Sequence, residues 1–149
     1  MDFIDMQDKL FKIARDIRQN QEVAPTAFLM VAGGIVQVPL FKLPKDLWRE
    51  VIIEAIRQTR AQAVILHTEA WAVGGDQAAA AVAAKMAGLD SLSEFPGRQE
   101  ILQSNMELPG GTYRTLTALI EDGKLGPTEV VEYPEGSKVE GHFTGFFAA

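Results

Sequence analysis

Two apolar runs separated only by Gly33-Gly34 constrain this chain more than any other feature. They are TAFLMVA (26–32) and IVQVPLF (35–41). A Gly-Gly pair between such runs is the signature of a β-hairpin, because primed turns need positive φ at both central positions. A phosphate-binding loop needs a Lys-Ser/Thr and a helix next. Here neither follows, and the next segment reads as a strand. The chain is thereby committed to an antiparallel pair that must bury one face against something else.

Helical periodicity on either side supplies the cover. In residues 2–20, Phe3, Met6, Leu10, Ile13 and Ile17 recur at spacings of three and four, joined by Ile4, Phe11 and Ala14. Asp2, Asp5 and Asp8 lie early and Arg15 and Arg18 late, as the helix dipole favours. Asp5–Lys9 and Asp8–Lys12 form i,i+4 pairs. Pro44 suits the first turn of a second helix with Leu47, Trp48, Val51, Ile52, Ala55 and Ile56 on its buried face. AVILHTEAW (63–71) then reads as the third strand. Strand, helix and strand in that order imply a right-handed crossover if strands two and three lie parallel in one sheet.

Beyond Gly74-Gly75 the pattern weakens. Asp76 can cap a short Ala-rich helix over 77–87, ended by Gly88, and 73–97 reads as a mobile or variable, insertion-like segment. The last third reads as antiparallel strands: 100–108 and 112–120 about Pro109-Gly110-Gly111, a turn at Asp122-Gly123, then 128–133 and 138–147 about Pro134-Glu135-Gly136. The expected fold is one α+β domain over 1–149. A mostly antiparallel sheet of about five to seven strands is packed by two long helices, with one strand–helix–strand crossover.

Composition narrows function by exclusion. Without cysteine there is no disulfide, thiolate nucleophile or Cys-built metal site. Residues 1–60 hold nine Lys/Arg against eight Asp/Glu, and residues 61–149 hold five against twelve. An acidic second half repels phosphate backbones, so no nucleic-acid partner is expected. No apolar run approaches the roughly 20 residues of a membrane span, and the acidic start is unlike a signal peptide. A cytoplasmic protein with no membrane partner is the expectation. Hydrolase G-x-S-x-G and dinucleotide fingerprints are absent, and nothing calls for a cofactor.

The polar residues of AVILHTEAW are the candidates for chemistry. Ile65, His67, Glu69 and Trp71 share one face of a strand, which puts the α-carbons of His67 and Glu69 about 6.5–7 Å apart. An imidazole beside a carboxylate suits acid–base work or a metal. A carboxylate this close to the core also needs a partner, and Arg98 is the expected one. Glu69–Arg98 would then be a structural clamp, with Glu100 beside it. His67-Thr68-Glu69 matches the H-x-E half of the zinc-deaminase signature, but the P-C-x-x-C half needs cysteines that this chain lacks. A His/His/carboxylate site would require His142, so no metal is expected.

Glu69-Ala70-Trp71 followed by Pro96-Gly97-Arg98-Gln99-Glu100 resembles a group of uncharacterised small bacterial and phage-associated proteins. Ile120-x-Asp122 with Leu125-Gly126, and Gly141-His142-Phe143, extend the likeness over about residues 25–147. That group often carries Arg where this chain has Glu121 and His142. The resemblance implies a shared fold and a paired Glu/Arg seam, and no substrate, cofactor or reaction.

Two functions are compatible with these residues. One is a non-catalytic binding or assembly module, a homodimer or one with a protein partner, docking through its apolar N-terminal helix and its Phe-rich end (Phe143, Phe146, Phe147). The other is a small enzyme or ligand-binding protein using His67, Glu69, Arg98 and Glu100.

Overall fold

Alternating side chains build one antiparallel sheet with a helix on each face. The computed structural model describes residues 2–72, 99–133 and 145–147. In chain order the elements are α1 (Phe3–Arg18), β1 (Thr26–Val31), β2 (Gly34–Pro39), a 3-10 turn (Lys45–Leu47), α2 (Trp48–Thr59), β3 (Ala63–Ala72), β4 (Gln99–Leu108), β5 (Thr112–Glu121), β6 (Lys124–Leu125) and β7 (Glu129–Tyr133). The strand order is β2-β1-β3-β4-β5-β6, with β7 also on β5. Every pairing is antiparallel. Among the described residues no helix is long and apolar enough to cross a membrane.

The first hairpin forms one residue earlier than its glycines suggest. Val31 pairs with Gly34, so Ala32 and Gly33 make the turn. Of these only Gly33 has positive φ, at 87°. That is the requirement of a type II turn, not a primed one. The primed geometry occurs instead at Asp122-Gly123, with φ of 51° and 74°, between Glu121 and Lys124.

β3 pairs with β1, not with β2. Since β1 is antiparallel to both, β2 and β3 run the same way on either side of it, with α2 in the connection. α2 is three turns long and is entered through the 3-10 turn, with Pro44 just before it at ψ 138°. Its Ile52 packs with Ala27, Leu40, Val64 and Leu66 on one face of the sheet. α1 occupies the other face. Phe11 and Ala14 meet Leu102, Leu116 and Ala118, while Met6 and Leu10 meet Met30, Ile65 and Met106. Full burial of a side chain such as Ile65 or Leu66 contributes about 1.5–3 kcal/mol.

α1 is rolled relative to its apolar stripe. Its fully buried centre line is Gln7, Phe11 and Ala14, whereas Ile4, Ile13 and Ile17 are exposed. Gln7 is the cause. Its amide nitrogen donates to the Ser104 carbonyl (3.1 Å), the Ser104 hydroxyl (3.2 Å) and the Arg114 carbonyl (3.1 Å). Its oxygen accepts from Arg114 Nη1 at 3.0 Å. Asp8 does not serve Lys12 as expected; it receives Arg114 Nη1 at 2.9 Å. Asp5–Lys9 forms at 2.9 Å as expected.

The C-terminal piece, Gly145–Phe147, is a turn with φ of 75° at Gly145, not the expected extended strand. Its Phe146 is buried in the α2-side core. Glu107 of β4 holds it there, accepting from the backbone N–H groups of Gly145, Phe146 and Phe147. Arg49 of α2 donates to the Gly145 carbonyl and lies over the Phe146 ring. The expected 77–87 helix, the 73–97 segment, Arg98, His142 and Phe143 lie outside the described residues.

Candidate functional site

His67 and Glu69 do share the α1 face of β3, and they do different work there. His67 is flanked by Thr26 of β1 and Ser104 of β4 and is only 2% exposed. The rings of Phe28 and Phe11 meet it edge-on, with centroids 5.0 and 6.2 Å away. Its Nε2 is buried with no hydrogen-bond partner among the described residues. Burial pushes the pKa down from 6.5 to about 4, because desolvation penalises the imidazolium. At pH 7 the ring is therefore neutral, with one donor and one acceptor nitrogen. Leaving such an atom unpaired costs about 1–3 kcal/mol, which sets it apart from the satisfied polar groups around it.

The ring lies at the floor of a cleft of about 320 Å³, within the size range of small-molecule sites. The cleft exists because α1 is rolled and does not reach the sheet edge. Leu10, Ile13, Ala14 and Ile17 form the helix wall. Ile13, 55% exposed, is the part of the apolar stripe that overshoots the sheet. Opposite, Phe28 of β1 and Gln37 of β2 form the strand wall. The α1 face of β2, with Ile35, Gln37 and Pro39, is exposed.

Glu69 is not among the cleft's walls but fixes one end of its rim. Arg18 Nε donates to its Oε1 at 2.7 Å, and the Val23 N–H donates to its Oε2 at 2.8 Å. Both side chains of the Arg18–Glu69 pair are only 15% exposed. The carboxylate thus ties the end of α1 and the α1–β1 connection to β3. Residues 21–24 of that connection close one end of the cleft. Thr26 is also engaged, its hydroxyl donating to the Ala24 carbonyl at 3.1 Å.

Both oxygens of Glu69 therefore have partners that the sequence did not suggest. The Arg98 half of the expected clamp lies outside the described residues. Glu100 sits on the same face, opposite Trp71, four residues up β4 from Ser104. That is about 13 Å from the level of His67 by strand rise, and Glu100 is not among the cleft's walls. No group of three His, Asp or Glu among the described residues can hold a metal ion. A second trough of about 470 Å³ runs beside Lys12, Arg15 and Lys124. Arg15 there is held by the Gly126 carbonyl at 2.8 Å and the Thr128 hydroxyl at 3.3 Å.

Sequence reasoning missed Gln7, Arg18 and Glu107. The signal for Gln7 was its position in the middle of an apolar stripe. Arg18 lies 51 residues from its partner, and nothing local announces the pairing. No protein-family model, curated protein or solved structure matches the chain.

Proposed function

We propose that the protein is a non-catalytic binding module that takes a small, largely apolar molecule into the cleft beneath α1. One observation carries this reading: His67, whose buried Nε2 has no hydrogen-bond partner among the described residues, lines a cleft walled by Leu10, Ile13, Ile17 and Phe28 together with Gln21, Glu22 and Gln37. A ligand entering there removes apolar surface from water and supplies the missing hydrogen bond. Acid–base catalysis is the weaker reading. The carboxylate that would serve His67 is committed to Arg18 and Val23, and a pKa near 4 makes the ring a poor base at pH 7.

The test is an amide-resolved NMR titration with n-heptanol. Saturable shifts concentrated at Leu10, Ile13, Ile17, Val23, Phe28 and Gln37 are expected. A response that never saturates, or is scattered over the surface, refutes the reading.

Self-association is a second reading, favoured by β7. All five of its residues are exposed, Val130 and Val131 among them. Among the described residues β7 pairs with β5 alone, and a strand with a free edge and apolar side chains is a template for pairing with another copy. Sedimentation at micromolar concentration tests it; a strict monomer counts against it.

A further inference from the structure

Resting on the cleft reading, we infer that the ligand is a neutral alcohol or phenol whose hydroxyl meets His67 Nε2 while its hydrocarbon body lies between α1 and the β1–β2 hairpin. Three observations select this chemistry. The first is charge. Among the described residues no Lys or Arg is one of the cleft's walls, and Arg18, at the end of α1, is engaged by Glu69 at 2.7 Å. A carboxylate or phosphate at the floor would be buried with no counter-charge among the described walls. An ammonium fares no better, because both Glu69 oxygens already accept hydrogen bonds and Glu22 is exposed to water.

The second is the character of the group left unsatisfied among the described residues, His67 Nε2. A neutral imidazole nitrogen either donates or accepts, according to tautomer. A hydroxyl both donates and accepts, so it satisfies Nε2 in either form, whereas a ketone or ether serves only the donor form. The third is size and lining. At about 320 Å³ the cleft lies at the small end of small-molecule sites, so the ligand is small. Leu10, Ile13, Ile17 and Phe28 offer hydrocarbon along its length. One polar head on a body of that size fits.

The experiment compares n-heptanol, heptanoate and heptylammonium at pH 7. NMR titration of the intact protein follows the backbone amides and the His67 ring nitrogens together. The expected result is saturable binding of heptanol with a His67 ring shift, and binding at least about tenfold weaker for both ions. H67F, which keeps a ring between Phe11 and Phe28 but removes the nitrogens, should bind heptanol about tenfold more weakly than wild type. Should H67F not fold, the ring shift in the wild-type protein decides the point. Equal or tighter binding of either ion overturns the ligand class while leaving the cleft reading intact. Heptanol binding without a ring shift, or undiminished in H67F, overturns the role of His67. Failure of all three probes to bind saturably overturns the cleft reading itself.

Discussion

Acidification should destabilise the protein through His67, by an amount the structure allows to be worked out. In the folded chain the imidazole titrates at about 4; in the unfolded chain it returns to its ordinary 6.5. Between those values the unfolded state binds more protons, so stability falls as pH falls. The contribution is complete above pH 6.5 and is lost progressively down to about 4. The full loss is on the order of 3 kcal/mol. Between pH 7 and pH 4.5 it is about 2 kcal/mol, with roughly half of that already lost by pH 5.5. Other groups titrate over the same range, so the quantity to measure is a difference. Urea unfolding of wild type and H67F across this range isolates the histidine, because the variant lacks the group and keeps the ring. At pH 7, H67F should match or exceed wild type, since it removes an unpaired buried nitrogen. The variant should then gain on wild type by about 2 kcal/mol at pH 4.5. Parallel curves, differing by a constant at every pH, would refute the reasoning and place the imidazole in contact with water.

Three further substitutions test the remaining structure. E69Q preserves shape but leaves one oxygen for two donors, Arg18 Nε and the Val23 N–H. It should cost about 2–3 kcal/mol in urea unfolding and speed hydrogen exchange at Val23; a neutral result would mean the rim does not depend on this charge. Q7L places an apolar side chain in the middle of an apolar stripe, so patterning alone predicts a gain. The hydrogen bonds to Ser104 and Arg114 predict a loss of about 2–3 kcal/mol, and the sign of the change in thermal unfolding decides between them. Arg60 ends α2 in the left-handed region at φ 55°, where a β-carbon is strained. R60G should therefore stabilise by about 1 kcal/mol, and destabilisation would show that the Arg60 side chain contributes contacts of its own.

What could be read from the sequence was what depends on neighbours in the chain. The β1–β2 hairpin, the Asp122-Gly123 turn and the shared face of His67 and Glu69 all follow from turn chemistry or a period of two. Even there, the first turn slid by one residue, because a single positive φ at Gly33 suffices for a type II turn. What could not be read was set by contacts between distant segments. That β3 would choose β1 over β2 depends on the whole sheet. The roll of α1 depends on Gln7, a polar residue buried by partners about a hundred positions away. The cleft is the consequence of that roll, so it too was hidden. The neighbourhood of Glu69 is what points to His67 in the sequence, yet its distinction in the structure is a buried Nε2 with no hydrogen-bond partner among the described residues. The apolar residues that suggested docking through the termini are largely used within the chain: Phe11 and Ala14 against β4 and β5, and Phe146 against α2.

Whether His67 Nε2 receives a ligand hydroxyl can be seen in a crystal structure of the protein soaked with a terminally brominated heptanol. An anomalous bromine peak is expected near the cleft mouth, between Ile13 or Ile17 and Gln37, with a hydroxyl oxygen within about 3.2 Å of Nε2. A bromine bound only elsewhere, or a hydroxyl turned to solvent with Nε2 still unpaired, would contradict that role for His67.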